Sequence, residues 1–293
     1  MNSSVLIVVS ARMRSSRCPG KAIAPLAGKP LLEHLLERVS SVGGRSRVVL
    51  ATSVDPANDI LVDIAESLGV AAFRGDEDDV LGRHLEVARR WNVEHVVRVT
   101  GDNPLTDLPL IESLSRRHLE LDADYTYVPG DALLMGILSE VISRRALETS
   151  HREGEDKHRS ELVTLYIKEN PERFRIERAE LPLELYRPEY RLTVDEPEDV
   201  VLMERIFDRL YRPGRIFQTI EAIRLLDSKP ELASINAHIQ ASKVNVRSVA
   251  LDEHEPRAGE SSRTLRERSE PGAPSENAPP TRSSSRGWGP REH

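Results

Sequence analysis

A loop near the N-terminus collects four positive charges, although the formal net charge of the chain is −7. The loop, SARMRSSRCPGK at residues 10–21, follows the apolar run VLIVV. Its cations are Arg12, Arg14, Arg17 and Lys21. Arginine forms bidentate pairs with phosphate, lysine adds a compact charge, and Gly20 lets the backbone approach a ligand. The loop therefore has the chemistry of a phosphate site, while charge density alone favours a solvated basic turn.

Two aspartates carry the complementary charge, and each follows an apolar run. Asp102 stands in TGDNPL after HVVRV, and Asp195 stands in LTVDEPED. Mg²⁺ commonly takes one or two carboxylates together with substrate phosphates, so both are candidate metal ligands. The alternatives are a turn aspartate for Asp102 and a helix N-cap for Asp195, because Pro197 suits the first turn of a helix. Neither motif decides between these alternatives by itself.

The elements that would position these loops alternate between strand and helix patterns. The patterns predict strands at 5–9, 47–52, 70–75, 95–102 and 124–128, and helices at 28–42, 58–68, 78–91 and 108–121. The second half is less regular, with strand patterns at 174–181 and 191–194 and a helix pattern after Pro197. Such alternation predicts an α/β protein with a largely parallel sheet and helices on both faces. Ligands of such sheets bind beyond the carboxyl ends of the strands.

The composition excludes several classes of protein. Hydrophobic residues make up 39% of the chain and aromatic residues only 4%, which predicts a core of leucine, valine, isoleucine and alanine. Cys18 is the one cysteine, so no intramolecular disulfide forms, and a reducing cytoplasm suits the chain. We expect no signal peptide and no membrane insertion, because the apolar runs are far shorter than the ~18 residues that a span needs. The net acidity argues against a nucleic-acid partner.

The sequence changes character near residue 244. Residues 244–293 are rich in Ser, Pro, Arg and Glu, and their eight Arg and eight Asp or Glu leave them formally neutral. Such a segment cannot bury enough apolar surface to offset the entropy of ordering. We therefore predict a folded domain over 1–243 and a disordered tail over 244–293.

Other familiar sites find little support in the sequence. Gly28-Lys29 is followed by Pro30, so a Walker P-loop is absent, and no GxGxxG motif follows the first strand. His151 and His158 lie in a charged connector without the spacing of metal ligands. No Ser-His-Asp arrangement is readable, so the sequence does not favour a hydrolase.

The ordered series of motifs resembles the cytidylyltransferases that activate acidic sugars, such as the synthetases for CMP-3-deoxy-manno-octulosonate and CMP-N-acetylneuraminate. The series runs SARMRSSRCPGK, AGKPLLEH, ATSVDPANDILVDIAESLGV, FRGDEDDVLGRH, VRVTGDNPL, SELVTLYIKENPERF, RLTVDEPED and PELASINAHIQ. It covers about residues 4–243 and looks closest to the spore coat polysaccharide biosynthesis protein F-like branch. A whole ordered series is more specific than any one motif, so it favours the phosphate site over the solvated turn.

The resemblance implies a three-layer α/β/α sandwich of the nucleotide-diphospho-sugar transferase type, with a mixed, mainly parallel sheet. It implies catalytic roles for Arg12, Lys21 and Asp102, and Mg²⁺ held by Asp102 and Asp195. The base and ribose would lie against the first loop and the segment FRGDEDDVLGRH. The implied nucleotide-binding residues are Ala11, Arg12, Arg17, Gly20, Lys21, Arg74, Gly75 and Asp79. The implied sugar-binding residues are Glu140 and Glu161.

By this resemblance the protein transfers CMP from CTP to an acidic sugar, releases pyrophosphate and serves surface polysaccharide or glycoconjugate biosynthesis. Family members are often dimers, so a homodimer is expected. Two alternatives stay open: a nucleotidyltransferase with another nucleotide or a non-sugar acceptor, and a non-catalytic nucleotide-binding protein. The chain departs from the family pattern at Cys18 before PGK, at Leu138 in place of an aspartate and at Leu162 in place of a histidine. The last two fall in the region expected to shape the sugar pocket.

Overall fold

The apolar runs of the N-terminal half form the centre of a seven-stranded sheet. The computed structural model describes residues 5–15, 17–129 and 135–239, so the predicted tail and the domain boundary before it lie outside the described residues. In chain order the strands are β1 Val5–Ser10, β2 Pro25–Leu26, β3 Lys29–Pro30, β4 Val48–Ser53, β5 Ala71–Gly75, β6 His95–Thr100, β7 Tyr125–Tyr127, β8 Glu140–Ser143 and β9 Ile176–Arg178.

The main sheet has the strand order β5-β4-β1-β6-β8-β7-β9, and β2 and β3 form a separate short antiparallel pair. β8 runs antiparallel to both of its neighbours, while the other neighbouring strands of the main sheet are parallel. The predicted mixed, mainly parallel sheet is therefore confirmed. β6 is the middle strand and β1 is its parallel neighbour, so the loop after β1 lies next to the loop after β6.

Helices connect the strands as the alternating pattern predicts. They are α1 Leu31–Gly43, α2 Asp59–Ser67, α3 Val80–Arg90, α4 Leu108–Glu120, α5 Arg144–Glu153, α6 Asp156–Arg159, α7 Leu165–Glu169, α8 Pro197–Leu210, α9 Thr219–Ser228 and α10 Pro230–Ala233. Within the described ranges, none of these helices has the length and hydropathy to cross a membrane.

The alternating side chains of β1 divide the core into two layers. Val5, Ile7 and Val9 pack with the apolar residues of α1 and α4 on one face of the sheet. Leu6 and Val8 pack with those of α3 and α5 on the other face. A strand that is apolar at every position needs such cover on both sides. The predicted α/β/α sandwich follows from this arrangement.

The strand predicted at 191–194 does not form. Arg191 forms an isolated β-bridge with Met135. The backbone N–H groups of Leu192 and Val194 pair with residues of two different loops. The N–H of Leu192 donates to the carbonyl oxygen of Met135 over 2.8 Å, and that of Val194 donates to the carbonyl oxygen of Asp102 over 2.9 Å. The segment is therefore extended and buried, as its apolar pattern indicates, but it lies against loops and not against a strand.

Candidate active site

A cleft of about 640 Å³ opens beyond the carboxyl ends of β1 and β6. The predicted site residues that line it are Ala11, Arg12, Arg17, Lys21, Asp102, Glu140, Glu161 and Asp195. In the described part of the chain, the lining holds more cations than carboxylates. The cations are Arg12, Arg14, Arg17, Lys21, Arg83, Arg98 and Lys168. The carboxylates number four, so the cleft of this acidic protein favours anionic ligands.

Lys21 bridges the two aspartates that were predicted as metal ligands. Its Nζ donates to Asp102 Oδ2 over 2.8 Å and to Asp195 Oδ1 over 2.9 Å. Burial disfavours the charged ammonium, but the two carboxylates outweigh it and raise the pKa of Lys21. Burial likewise opposes ionisation of Asp195, and the cations around it, led by Lys21, reverse that effect and lower its pKa. Lys21 and Asp195 are therefore both ionised at neutral pH.

The fold of the first loop brings Lys21 to this position. Gly20 has φ +75°, a left-handed conformation that glycine adopts without steric cost. Its N–H donates to the carbonyl oxygen of Met13 over 3.1 Å and closes the loop. Lys21 then begins the 3₁₀ turn Lys21–Ile23. Gly20 does not line the cleft, so its direct contact with a nucleotide stays a prediction.

Asp195 is not the N-cap of the helix that follows it. Glu196 occupies that position before α8, and the carboxylate of Asp199 accepts from the N–H groups of both Asp195 and Glu196 over 2.9 Å. Arg191 binds the buried Asp199 and also donates to Asp195 Oδ2 over 2.9 Å. The other oxygen of Asp195 is left to face the first loop, where Lys21 reaches it. The alternative interpretation of Asp195 as a cap is therefore wrong.

Arg17 and Arg14 have different surroundings. An Arg17 Nη lies 3.1 Å from Asp195 Oδ1, which adds a second cation from the first loop to the same carboxylate. Arg14 pairs with Asp55 at 2.8 Å, and 74% of its side chain is exposed. Arg17 therefore belongs to the charged centre of the cleft, whereas Arg14 is mainly surface.

Arg12 reaches towards the opposite wall of the cleft. Its two Nη atoms each lie 3.5 Å from a carboxylate, one of Glu77 and one of Glu161. Both contacts are long, and the Glu161 side chain is 71% exposed, so these ion pairs hold the guanidinium weakly. Arg12 can therefore exchange both partners for a phosphate at little cost.

A second charged centre surrounds the partly buried carboxylate of Glu140. Arg98 donates to Glu140 Oε2 over 2.8 Å, and Lys168 Nζ lies 3.6 Å from Oε1. The hydroxyls of Tyr125 and Thr164 also donate to Oε1, the latter over 3.4 Å. Burial raises the pKa of Glu140, but Lys168 and Arg98 outweigh burial and lower it to about 2. The carboxylate is therefore ionised at neutral pH, and the two positive charges of Arg98 and Lys168 exceed its single negative charge.

Sequence reasoning missed Arg98 and Lys168, although both line the cleft. Arg98 interrupts the apolar strand HVVRV, and a charge in a buried strand indicates either a buried pair or a ligand. That signal was available. Lys168 lies in the short helix α7, where a lysine is ordinary, and its pairing with Glu140 is visible only in the fold.

Three residues of the segment predicted to hold the base do not line the cleft. Arg74 donates to two carbonyl oxygens at and just beyond the end of β4, over 3.1 and 2.9 Å. Asp79 caps α3 by accepting from the N–H of Gly82 over 2.7 Å, and it pairs with His151 at 2.7 Å. A Cβ on Gly75 would come within 3.0 Å of neighbouring side chains. All three support local structure, and their contact with a nucleotide stays a prediction.

Comparison with known proteins agrees with this geometry. A family model described as cytidylyltransferase matches residues 6–231. The spore coat polysaccharide biosynthesis protein SpsF of Bacillus subtilis is 33% identical over 238 residues, which cover 79% of this chain and 98% of that protein. A 3-deoxy-manno-octulosonate cytidylyltransferase of Trichlorobacter lovleyi is 35% identical over 109 residues, covering 36% of this chain and 42% of that protein.

The fold has a solved counterpart as well. The structure of a cytidylyltransferase from Leptospira borgpetersenii superposes with a TM-score of 0.73 at 26% sequence identity, and the match covers 82% of this chain and 98% of that one. The matched region contains the first loop and both aspartates of the charged centre. The chain therefore belongs to the cytidylyltransferase family.

Proposed function

We propose that the protein transfers CMP from CTP to an acidic sugar with release of pyrophosphate, for the biosynthesis of a surface polysaccharide or glycoconjugate. The observation that carries the proposal is the placement of Lys21 between Asp102 and Asp195 in an arginine-lined cleft. Three loops that are distant in sequence meet there. A nucleotidyl transfer needs both cations for phosphate and carboxylates for a metal at one place.

The two aspartates fit Mg²⁺. Each offers a carboxylate oxygen to the same cation, the ammonium of Lys21, at 2.8 and 2.9 Å. No third His, Cys, Asp or Glu completes a metal cage among residues 5–15, 17–129 and 135–239. The remaining ligands would be water and phosphate oxygens, which is how Mg²⁺ is usually held beside substrate phosphates. Bound Mg²⁺ would neutralise phosphate charge and lower the pKa of the attacking hydroxyl.

The residues of the chain itself bind and orient the reactants. Arg12, Arg17 and Lys21 are placed to bind the triphosphate and to stabilise the charge on the departing pyrophosphate. In the reaction an acceptor hydroxyl attacks the α-phosphorus in line, an O–P bond forms, and the bond to pyrophosphate breaks. Little covalent chemistry falls to the protein, so positioning and charge account for most of the rate.

The second charged centre supports an acidic acceptor. Arg98 and Lys168 outnumber the single carboxylate of Glu140, and all three line the cleft. The Trichlorobacter lovleyi relative is named for an acidic sugar, 3-deoxy-manno-octulosonate, and SpsF is named for polysaccharide biosynthesis. Leu162 and Leu165 also line this part of the cleft, so the acceptor meets apolar as well as charged surface.

The proposal includes a cytoplasmic location and a homodimer. Cys18 has no partner cysteine in the chain, which suits a reducing compartment. The dimer rests on analogy with the family, and light scattering of the purified protein tests it.

The reaction is tested by incubating the purified protein with each of the four ribonucleoside triphosphates, Mg²⁺ and a panel of 2-keto acid sugars. Release of pyrophosphate with CTP and one sugar supports the proposal. Turnover with another nucleotide or a non-sugar acceptor would change the substrate assignment. Tight binding of CTP without turnover on any acceptor would indicate a non-catalytic nucleotide-binding protein.

A further inference from the structure

Ser10, the last residue of β1, is tied to a buried histidine of α3. Its Oγ lies 3.2 Å from His84 Nε2. Ser10 lines the cleft, whereas His84 is fully buried and does not. The reaction described above uses neither residue. The pair therefore places a hydroxyl of fixed orientation in the wall of the cleft.

The second ring nitrogen sets the direction of this hydrogen bond. His84 Nδ1 lies 2.9 Å from the carbonyl oxygen of Val80, and a carbonyl oxygen only accepts, so Nδ1 carries a proton. Burial, helped by the positive charge of Arg98, lowers the pKa of His84 to about 3. The ring is neutral at physiological pH, and Nε2 carries no proton. Nε2 therefore accepts, and the hydroxyl of Ser10 donates.

This direction limits what Ser10 can offer to a ligand. A hydroxyl has one proton and two lone pairs. Because Ser10 gives its proton to His84, only lone pairs are left to face the cleft. The Ser10 oxygen can therefore accept a hydrogen bond from an N–H or O–H group of a ligand, and it repels a ligand atom that is itself an acceptor.

The wall beside Ser10 combines apolar surface with the planar guanidinium groups of Arg83 and Arg98, and both kinds of surface can lie against a flat ring. Ala11 and Val80 line the cleft next to it, and both are buried apolar residues. The phosphate-binding cations begin at Arg12, in the same loop. A nucleotide whose phosphates lie at Lys21 shares one cleft with this wall, where Ser10 presents a hydrogen-bond acceptor.

We propose that Ser10, oriented by His84, recognises the exocyclic amino group of a cytosine base and thereby selects CTP over UTP. Cytosine presents N4–H₂ as a donor where uracil presents O4 as an acceptor. The amino group of cytosine donates a hydrogen bond to a lone pair of Ser10. The O4 atom of uracil is itself an acceptor, so it would face the Ser10 oxygen with no proton between the two. The inference rests on the proposed function for its choice of nucleotide. It makes Ser10 a specificity-determining residue and His84 a positioning residue.

Calorimetric titration of the full-length protein with CTP and with UTP, in Mg²⁺ and without an acceptor sugar, tests the inference. The unsubstituted protein should bind CTP about tenfold more tightly than UTP, or better. Ser10→Ala should bring the ratio of the two dissociation constants close to one, mainly by weakening CTP. His84→Phe keeps the hydroxyl but frees it to rotate and donate, so UTP should bind more tightly while CTP binding holds.

Thr100→Val is the matched control. Thr100 lies opposite Ser10 in the pairing of β1 and β6 and also lines the cleft, but its hydroxyl accepts from Asn103 Nδ2 over 2.7 Å. The ratio of the CTP and UTP dissociation constants in Thr100→Val should equal that of the unsubstituted protein. Melting temperatures report whether each variant is folded. An unchanged ratio in Ser10→Ala, or no preference for CTP in the unsubstituted protein, overturns the inference.

Failure of the inference and failure of the proposed function are separate results. A protein that binds CTP but releases no pyrophosphate with any acceptor contradicts the proposed reaction and leaves the titration valid. A protein that turns over CTP but keeps its selectivity in Ser10→Ala contradicts only the inference. Absence of CTP binding overturns both.

Discussion

The backbone N–H of Val194 donates to the carbonyl oxygen of Asp102 over 2.9 Å. This hydrogen bond joins the loop after β6 to the extended segment before α8. The next residue, Asp195, therefore lies beside Asp102, although the two are distant in sequence. Lys21 reaches both carboxylates from a third loop. The charged centre depends on this loop-to-loop contact as much as on the side chains themselves.

Asp102→Ala should abolish turnover, because it removes one of the two carboxylates that would hold Mg²⁺. We expect a loss of about a thousandfold or more in the rate of pyrophosphate release, in line with removal of a main electrostatic group. Lys21 keeps its hydrogen bond to Asp195 after the substitution, so the free energy of unfolding should change little.

The control for this substitution is Asp208→Ala, at an exposed position of α8. Urea unfolding and pyrophosphate release are measured on both variants. Activity of Asp102→Ala near that of Asp208→Ala would exclude Asp102 as a metal ligand.

Lys21→Met should tighten the binding of a divalent cation in the absence of nucleotide. Lys21 now supplies the positive charge between Asp102 and Asp195, and without it the two carboxylates repel one another until a metal replaces the ammonium. Titration with Mn²⁺ followed by electron paramagnetic resonance should show an affinity several-fold above that of the unsubstituted protein, while turnover with CTP falls.

Lys29→Met provides the comparison, because Lys29 also lies between two carboxylates. Its Nζ contacts Glu33 at 2.9 Å and Glu37 at 2.7 Å, at the start of α1 and outside this cleft. Lys29→Met should tighten Mn²⁺ binding far less than Lys21→Met, because the partly exposed side chains of Glu33 and Glu37 can move apart into water, whereas Asp195 is buried. Weaker Mn²⁺ binding in Lys21→Met would show that Lys21 helps to hold the metal and does not occupy its place.

The central strands could be predicted from the sequence because burial on both faces leaves a continuous apolar run. VLIVV and RVVLAT became β1 and β4, and none of their four ends is shifted by more than one residue. The strand predicted at 191–194 has the same apolar character but pairs its backbone with loops. An apolar run predicts that a segment is buried, but it does not predict which backbone groups will pair with that segment.

The site was predictable where charges of opposite sign stood in matching loops, and less so elsewhere. Arg12, Lys21, Asp102 and Asp195 line one cleft as expected. Asp79 illustrates the limit, because an aspartate before a helix can serve a ligand or cap the helix, and here it caps α3. The Arg98–Glu140 pair was missed because the residues around Arg98 give no indication that Glu140 is its partner, and those around Glu140 give none of Arg98.

Lys168→Met should weaken binding of the acceptor sugar and leave binding of the nucleotide unchanged. Lys168 belongs to the second charged centre, and its ammonium faces Glu140 and the rings of Tyr125 and Tyr127. We expect KM for the acidic sugar to rise about tenfold, consistent with the loss of one charged contact, while KM for CTP stays unchanged. Steady-state kinetics with each substrate varied in turn separate the two constants. Equal increases in both would place Lys168 at the nucleotide and contradict the assignment.

Glu140→Gln should reduce stability at neutral pH and flatten its dependence on acid. The pKa of Glu140 is about 2 in the folded protein against an ordinary value of 4.5, because Lys168 and Arg98 outweigh the effect of burial. A carboxyl whose pKa is lowered by folding adds stability that is fully present above pH 4.5 and is lost as the pH falls towards 2. The contribution is on the order of 3 kcal/mol. Urea unfolding between pH 7 and pH 2.5 measures it.

Glu112→Gln, at an exposed position of α4, is the control for this experiment. Its unfolding curves should follow those of the unsubstituted protein at every pH, because an exposed carboxyl that is not buried among cations gains little from folding. Glu140→Gln should start from a lower free energy of unfolding at pH 7 and lose less of it on acidification. Parallel acid profiles for Glu140→Gln and the unsubstituted protein would mean that other carboxylates dominate the acid transition. In that case the cations around Glu140 act on the ligand in the cleft more than on the stability of the fold.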